Sequence, residues 1–216
     1  MNPYFRDRRE AGRKLAGKLA RYAGRDDVTV LALPRGGVPV AYEVALQLHA
    51  PLDVFIVRKL GVPGHAELAM GALASGGIRV VNEDVIRYLQ PHADSILEAM
   101  TAKESVEIER REREYRDGRL APELKGRTVI LVDDGLATGA MMRAAVAALR
   151  QREAAKIIVA VPVGSPEVCR AFEEQVDETI CAIAPEWFQA VGQCYGDFSQ
   201  TTDDEVRELL AAAARR

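Results

Sequence analysis

The sequence predicts an α/β fold: a mostly parallel, doubly wound sheet flanked by helices, with a helical insertion and a small aromatic-rich segment after the last core strand. Three observations lead there. Short apolar runs such as "VTVLALP", "LDVFIV", "VILV", "KIIVAVPV" and "DETICAIA" alternate with stretches of helical periodicity, the pattern of a parallel sheet covered on both faces. The chain of 216 residues, 48% hydrophobic, is long enough to bury one sizeable core. It carries no internal repeat, low-complexity tract or linker-like stretch. Residues 1–216 therefore read as a single domain, with the helical insertion at about 84–120 and the aromatic-rich segment at about 185–200 ahead of a C-terminal helix.

Phe5, Leu15, Leu19 and Tyr22 recur among charges in a helix-like pattern over residues about 5–23, which Gly24 ends. "VTVLALP" is then a strand, and "PRGGVPVAYEVALQL" a glycine turn opening into a helix. "LDVFIV" is a second strand and "IRVVN" a third. Between them "RKLGVPGHAELAMGALASGG" reads as a long loop rich in Gly and Pro around a short extended piece. Asp94 to Arg116 forms a long polar helix laced with i,i+4 charge pairs, a solvated face to which no chemistry is assigned. After the strand at residues 129–132 come a helix from about Thr138 to Arg150, the strand "KIIVAVPV", a helix from about Glu167 to Gln175 and the strand "DETICAIA". "TTDDEVRELLAAAARR" is a capped helix, Thr202 or Asp203 leading and Glu205 behind.

Composition excludes several classes. The formal charge of −3 arises from nearly balanced acids and bases, so the footprint of a nucleic-acid binder is missing, and any anion must be held locally. The charged N-terminus has no apolar h-region, and no apolar run approaches the length of a membrane span, which leads to a cytoplasmic expectation. Cys169, Cys181 and Cys194 lack C-x-x-C or zinc spacing and read as reduced thiols. His49, His65 and His92 are too scattered for a metal box, so no protein-held metal is expected.

The chemistry concentrates in "VILVDDGLATGAMM", where an apolar strand runs into Asp133 and Asp134 and then into a turn of small residues. In open parallel sheets ligands sit beyond the carboxyl ends of the strands, at a topological switch point. Two acids there serve either as a helix cap with a solvated neighbour or as ligand-binding groups. Gly-Leu-Ala-Thr-Gly favours the second: small residues leave backbone N–H groups exposed at a helix start, where the dipole favours a phosphate. The G-K-[ST] of a nucleotide P-loop is missing. A receiver domain places its acid pair at the start of the chain, whereas this pair lies late.

This motif resembles the phosphoribosyl-pyrophosphate motif of type I phosphoribosyltransferases. The resemblance implies that Asp133 and Asp134 reach the vicinal ribose hydroxyls and that Ala137, Thr138, Gly139, Ala140 and Met141 cradle the 5-phosphate. Where the family usually has Gly-Thr after Thr-Gly, this chain has Ala140 and Met141, so one hydroxyl donor is missing. Ala137, where 6-oxopurine enzymes carry Asp, argues against a hypoxanthine or guanine enzyme. "LPRGGVPVA" resembles the family's pyrophosphate loop, assigning that anion to Arg35, Gly36 and Gly37. "RKLGVPGHAEL" resembles its basic, mobile catalytic loop, assigning roles to Arg58, Lys59 and Glu67. The resemblance spans roughly residues 28–185.

The activity so implied is transfer of phosphoribosyl from phosphoribosyl pyrophosphate to a nitrogenous base with release of pyrophosphate. Mg²⁺ would be bound mainly through the substrate pyrophosphate. The partners are then small molecules, with no nucleic acid or membrane, and oligomeric state is left open. The resemblance implies a small hood that recognises the base, and "PEWFQAVGQCYGDF", at about 185–200, is its candidate, with Phe188 expected to stack on the base and Trp187 to pack. A non-catalytic sensor of phosphoribosyl pyrophosphate or a nucleotide on the same fold is the alternative.

Overall fold

Asp7 starts the first helix, its carboxylate accepting from the Glu10 N–H at 2.8 Å, so α1 (Arg8–Lys18) begins three residues later than the periodicity from Phe5 suggests. In the computed structural model residues 3–215 are described, apart from the side chains of Ala66 and Glu67. A short 3₁₀ turn, Ala20–Tyr22, leads to β1 (Val28–Ala32), and a glycine turn to α2 (Gly37–Leu48) and β2 (Leu52–Val54). β3 (Val57–Val62), β4 (His65–Ala74), β5 (Ile78–Val81), α3 (Glu83–Tyr88) and α4 (Ala93–Arg116) follow as one block. β6 (Thr128–Val132), α5 (Ala140–Gln151), β7 (Lys156–Val163), α6 (Pro166–Glu173) and β8 (Glu178–Ile183) complete the alternation before α7 (Asp203–Ala214).

The five main strands are parallel in the order β2-β1-β6-β7-β8. Strand alternation divides the core in two. Val28, Val30, Ile130, Val132 and Ile158 face α1, α2 and α7, whereas Leu31, Val129, Leu131, Ile157 and Val159 face α5 and α6. All ten are at most 1% exposed, which is why these strands read as continuous apolar runs. Thr202 caps α7 as expected, its hydroxyl accepting from the Glu205 N–H at 3.1 Å.

Three expectations are corrected. The Gly- and Pro-rich segment after Arg58 is not a loop. It forms the antiparallel hairpin β3–β4, which β5 extends into a separate three-stranded sheet, so "IRVVN" does not join the parallel sheet. Val62 pairs with His65 across Pro63-Gly64, and Gly64 lies at φ 80°, the residue choice of a two-residue turn with positive φ at its second position. The long polar helix is solvated on one side only: Leu97, Glu104, Ile108, Tyr115 and Arg116 are buried. Finally, Cys169 and Cys181 are joined by a disulfide rather than being two reduced thiols, because α6 packs its Cys169 face onto β8; only Cys194 is free among the described residues.

α1 and α2 approach closely because of Gly12, where an added Cβ would lie 2.6 Å from the Val40 carbonyl oxygen and 2.9 Å from the Glu43 Cβ. Gly12→Ala improves helix propensity by about 1 kcal/mol, yet overpacking against backbone costs roughly 1–3 kcal/mol. The expected net result is a Tm lower by a few degrees, read by thermal denaturation; a higher Tm would show that the helices separate at no cost.

Candidate active site

Chain order and strand order diverge between β1 and β6. From β1 the chain passes through α2 to β2 on one side, while β6 pairs with β1 on the other, so the carboxyl ends of these two strands form the switch point at which open sheets leave a crevice. The Leu33 N–H donates to the Val132 carbonyl at 2.9 Å, holding the two strand ends together as each enters its turn. A Cβ on Gly36 would lie 2.1 Å from Asp134 Oδ2, and one on Gly37 2.8 Å from the Val132 carbonyl oxygen and 3.1 Å from Asp133 Oδ1. Two stretches about a hundred residues apart in sequence thus meet in contact that only glycine permits. Arg35, on the same turn, lies with Nη1 3.7 Å from Asp203 Oδ2 at the start of α7.

The acids are arranged unequally. The Asp134 N–H donates to Asp133 Oδ1 at 2.8 Å, Arg8 Nε donates to Asp134 Oδ2 at 2.8 Å, and the Tyr195 hydroxyl donates to the Asp134 carbonyl at 2.5 Å. Burial, and then the neighbouring Asp134 charge, push the Asp133 carboxyl well above the usual carboxylate range. Burial also raises Asp134, opposed by its hydrogen bond to Arg8 and that guanidinium's charge. The Tyr195 phenol is pushed up by burial first and by Asp134 next, so it remains a donor.

The following turn is held from two sides and opens into a helix start. A Cβ on Gly135 would fall 2.4 Å from Val191, so the hood sits directly on the turn. The Leu136 N–H donates to the Val163 carbonyl (2.9 Å), and its own carbonyl accepts from the Ser165 N–H (2.8 Å), tying the turn to β7. Gly139, at φ 72°, is the N-cap of α5 and supplies no side-chain cap, while Ala137, Thr138, Ala140 and Met141 are exposed. The acid pair therefore does not cap the helix, and the N–H groups of its first turn lack a side-chain cap.

Other sequence-chosen residues fare differently. Arg58 is committed to α4, its Nε donating to Glu104 Oε2 at 2.7 Å, while Lys59 is exposed on the opposite face of β3. The Glu67 side chain lies outside the described residues. Trp187, expected to pack, is 75% exposed, and Phe188, expected to stack, is half-buried against the cluster that holds Phe5, Val163 and Tyr195. The reason is a turn at Glu186–Trp187, where side chains do not alternate as in an extended strand. Sequence reasoning passed over Arg8, Tyr195 and Phe198. Tyr195 and Phe198 were visible only as hood aromatics, and nothing local marked Arg8 beyond a cation at the positive end of a helix. Among the described residues no three His, Cys, Asp or Glu side chains gather as a metal site, and the crevice offers hard oxygen donors suited to a Mg²⁺ that arrives on a phosphate.

An acid pair and an uncapped helix start thus meet at the switch point of a doubly wound α/β domain. The chain belongs to the phosphoribosyl transferase domain family, whose model matches residues 6–199. It is 48% identical over 212 residues to a Mycobacterium tuberculosis protein named "Putative phosphoribosyl transferase Rv0571c", covering 98% of this chain but 47% of that protein. The chain thus spans about half the length of the curated relatives it matches. The crystal structure of the protein TT1426 from Thermus thermophilus superimposes with a TM-score of 0.84 at 43% identity, covering 96% of this chain and 98% of that one. Among the described residues no helix is long and apolar enough to cross a membrane.

Because the folded state raises the Asp133 pKa, it binds that proton more tightly than the unfolded chain does. Stability then falls as pH rises from the ordinary Asp value of about 3.9 toward the raised one, and the penalty persists above it. Asp133→Asn keeps the acceptor for the Asp134 N–H and removes the charge. It should raise Tm at pH 7 by about 2–4 °C per kcal/mol relieved, with the gain vanishing near pH 4. Thermal denaturation from pH 4 to 8 reads this, and a pH-independent gain would assign the effect to packing.

Proposed function

We propose that this domain transfers the phosphoribosyl group of phosphoribosyl pyrophosphate to a nitrogenous base, releasing pyrophosphate. The observation that carries the reading is the convergence of the Asp133–Asp134 pair, the Gly36–Gly37 turn and the uncapped start of α5 on one crevice. The 5-phosphate would lie on the backbone N–H groups from Ala137 to Met141, and the vicinal ribose hydroxyls would donate to Asp133 and Asp134. The pyrophosphate would meet Arg35, Gly36 and Gly37, with Lys59 adding charge, and Glu67 is the acid or base proposed for the acceptor. As the bond from the anomeric carbon to pyrophosphate breaks and that to the base nitrogen forms, positive charge grows on the ribose ring, and the fixed carboxylates beneath it lower the barrier. Mg²⁺, held by the pyrophosphate oxygens and water, would neutralise the leaving group. Ala137 disfavours a 6-oxopurine acceptor. Exposed Trp187 replaces Phe188 as the hood ring available to stack on a base.

A panel of purine and pyrimidine bases with phosphoribosyl pyrophosphate and Mg²⁺, monitored by pyrophosphate release, tests the reading. Binding of phosphoribosyl pyrophosphate without turnover on any base would make the protein a sensor, and no binding heat at all would remove both readings. Asp134→Asn should lower turnover by about 10²-fold or more with the fold intact. Trp187 is the sole tryptophan, so its emission should shift when a base joins the activated sugar, and Trp187→Phe should weaken the base while sparing the sugar.

A further inference from the structure

Arg8 stands where helix electrostatics would not put it. It is the first residue of α1, at the positive end of the helix dipole, where a cation costs stability. Its side chain nevertheless turns inward and is only 12% exposed. Nε donates to Asp134 Oδ2 at 2.8 Å, Nη1 donates to the Ser199 carbonyl at 2.7 Å, and the guanidinium lies 4.0 Å from the centre of the Phe198 ring. A Cβ on Gly36 would lie 3.3 Å from Nε, so the glycine turn closes over the same group.

The chain spends further contacts on bringing Arg8 there. The Tyr4 and Phe5 N–H groups donate to the Cys194 carbonyl, at 3.0 and 3.1 Å, and the Gly196 and Asp197 N–H groups donate to the Phe5 and Arg6 carbonyls at 2.8 and 2.7 Å. The N-terminal segment is thereby zipped to the hood just before α1 begins.

We propose that Arg8 is a positioning residue for phosphoribosyl transfer: it holds the Asp134 carboxylate toward the ribose and links it to the hood at Phe198 and Ser199. This rests on the reading of Asp134 as a ribose-binding group. The groups around that carboxylate are Asp133 on its own turn, Arg8 from α1, and Tyr195 with Cys194 beyond it in the hood. Arg35, on the glycine turn, is engaged with Asp203, and Asp197, bonded to the Ser199 N–H, also feels the Arg8 charge. Arg8 is thus the cation that offsets two crowded acids. Its planar guanidinium bonds a carboxylate and a carbonyl while lying on a ring, a combination an ammonium cannot reproduce.

The test compares Arg8→Gln, Arg8→Lys and, as a control on the same helix, Arg9→Gln, which loses the ion pair to Glu43 and the contact with the Tyr42 ring but touches neither acid of the pair. Binding of phosphoribosyl pyrophosphate with Mg²⁺ is measured by calorimetry from pH 5.5 to 8.5, and turnover where a base is accepted. Without the cation Asp134 needs a higher pH to ionise. Arg8→Gln should therefore move the acid limb of binding to higher pH, weakening affinity by at least about tenfold at pH 6 and less at pH 8.5. Arg8→Lys should restore the acid limb but leave KM for the base raised, because the link to Ser199 and Phe198 is lost. Arg9→Gln should match wild type.

An Arg8→Gln protein that folds and binds like wild type at every pH overturns the role of Arg8 while leaving the site reading standing. Loss of affinity by one factor at all pH values, not rescued by lysine, overturns it too. If Arg8→Gln does not fold, Arg8→Lys decides alone: a base KM equal to that of wild type overturns the proposal. A wild-type protein that binds no phosphoribosyl pyrophosphate overturns the site reading and the role of Arg8 together.

Discussion

Everything in the crevice depends on the contact between the Gly36–Gly37 turn and the Asp133–Asp134 pair. Those glycines have no room for a Cβ because two carboxylates and the end of β6 occupy the space. The contact fixes how far β1 and β6 run before they turn, and so where α2 and α5 begin. It also encloses the acids, which raises their pKa values and makes their ionisation costly. A fold selected for stability alone would place neither acid there. Their cost is offset on one side by Arg8 and, in the proposed function, by ribose hydroxyls that would donate to them.

The parallel sheet was legible because its strands are buried on both faces. Continuous apolar runs such as "KIIVAVPV" have no competing explanation at that length, and the strand observed there, Lys156–Val163, coincides with the run. The second sheet was not legible for the opposite reason. In "AELAMGALA" the side chains are mostly small, so inward and outward positions do not differ in polarity, and Gly and Pro imitate a loop. What stabilises that sheet is tertiary: α5 covers Ala72 and Ala74, while Leu60, Val62, Met70 and Leu73 join Leu97 and Ile108 of α4 in the other core. No local pattern records those neighbours.

The candidate site divides in the same way. Asp133, Asp134 and the turn to Met141 are contiguous, and their chemistry could be read in one line of sequence. Arg8 and Tyr195 contribute through contacts spanning 126 and 61 positions, which one sequence cannot reveal. Arg58 shows the converse. A basic residue beside Lys59 looked like part of an anion site, but alternation along β3 sends neighbouring side chains to opposite faces, and Arg58 meets Glu104 of α4. Had that segment been read as a strand, the two could not both have been assigned to one ligand.

The hood, the N-terminal segment and α7 converge on the crevice from three directions. Tyr195 donates to the Asp134 carbonyl, Val191 covers Gly135, Arg8 grips the Asp134 carboxylate, and Asp203 at the start of α7 faces Arg35. Asp203 also accepts from the Tyr115 hydroxyl at the end of α4. The helical insertion is thereby joined to the glycine turn through a single carboxylate. These elements lie outside the alternating sheet-and-helix frame, yet each ends on a residue that touches one of the two turns. The frame supplies the switch point, but the charge and the cover that would let two adjacent carboxylates serve a sugar phosphate come from the segments added around it.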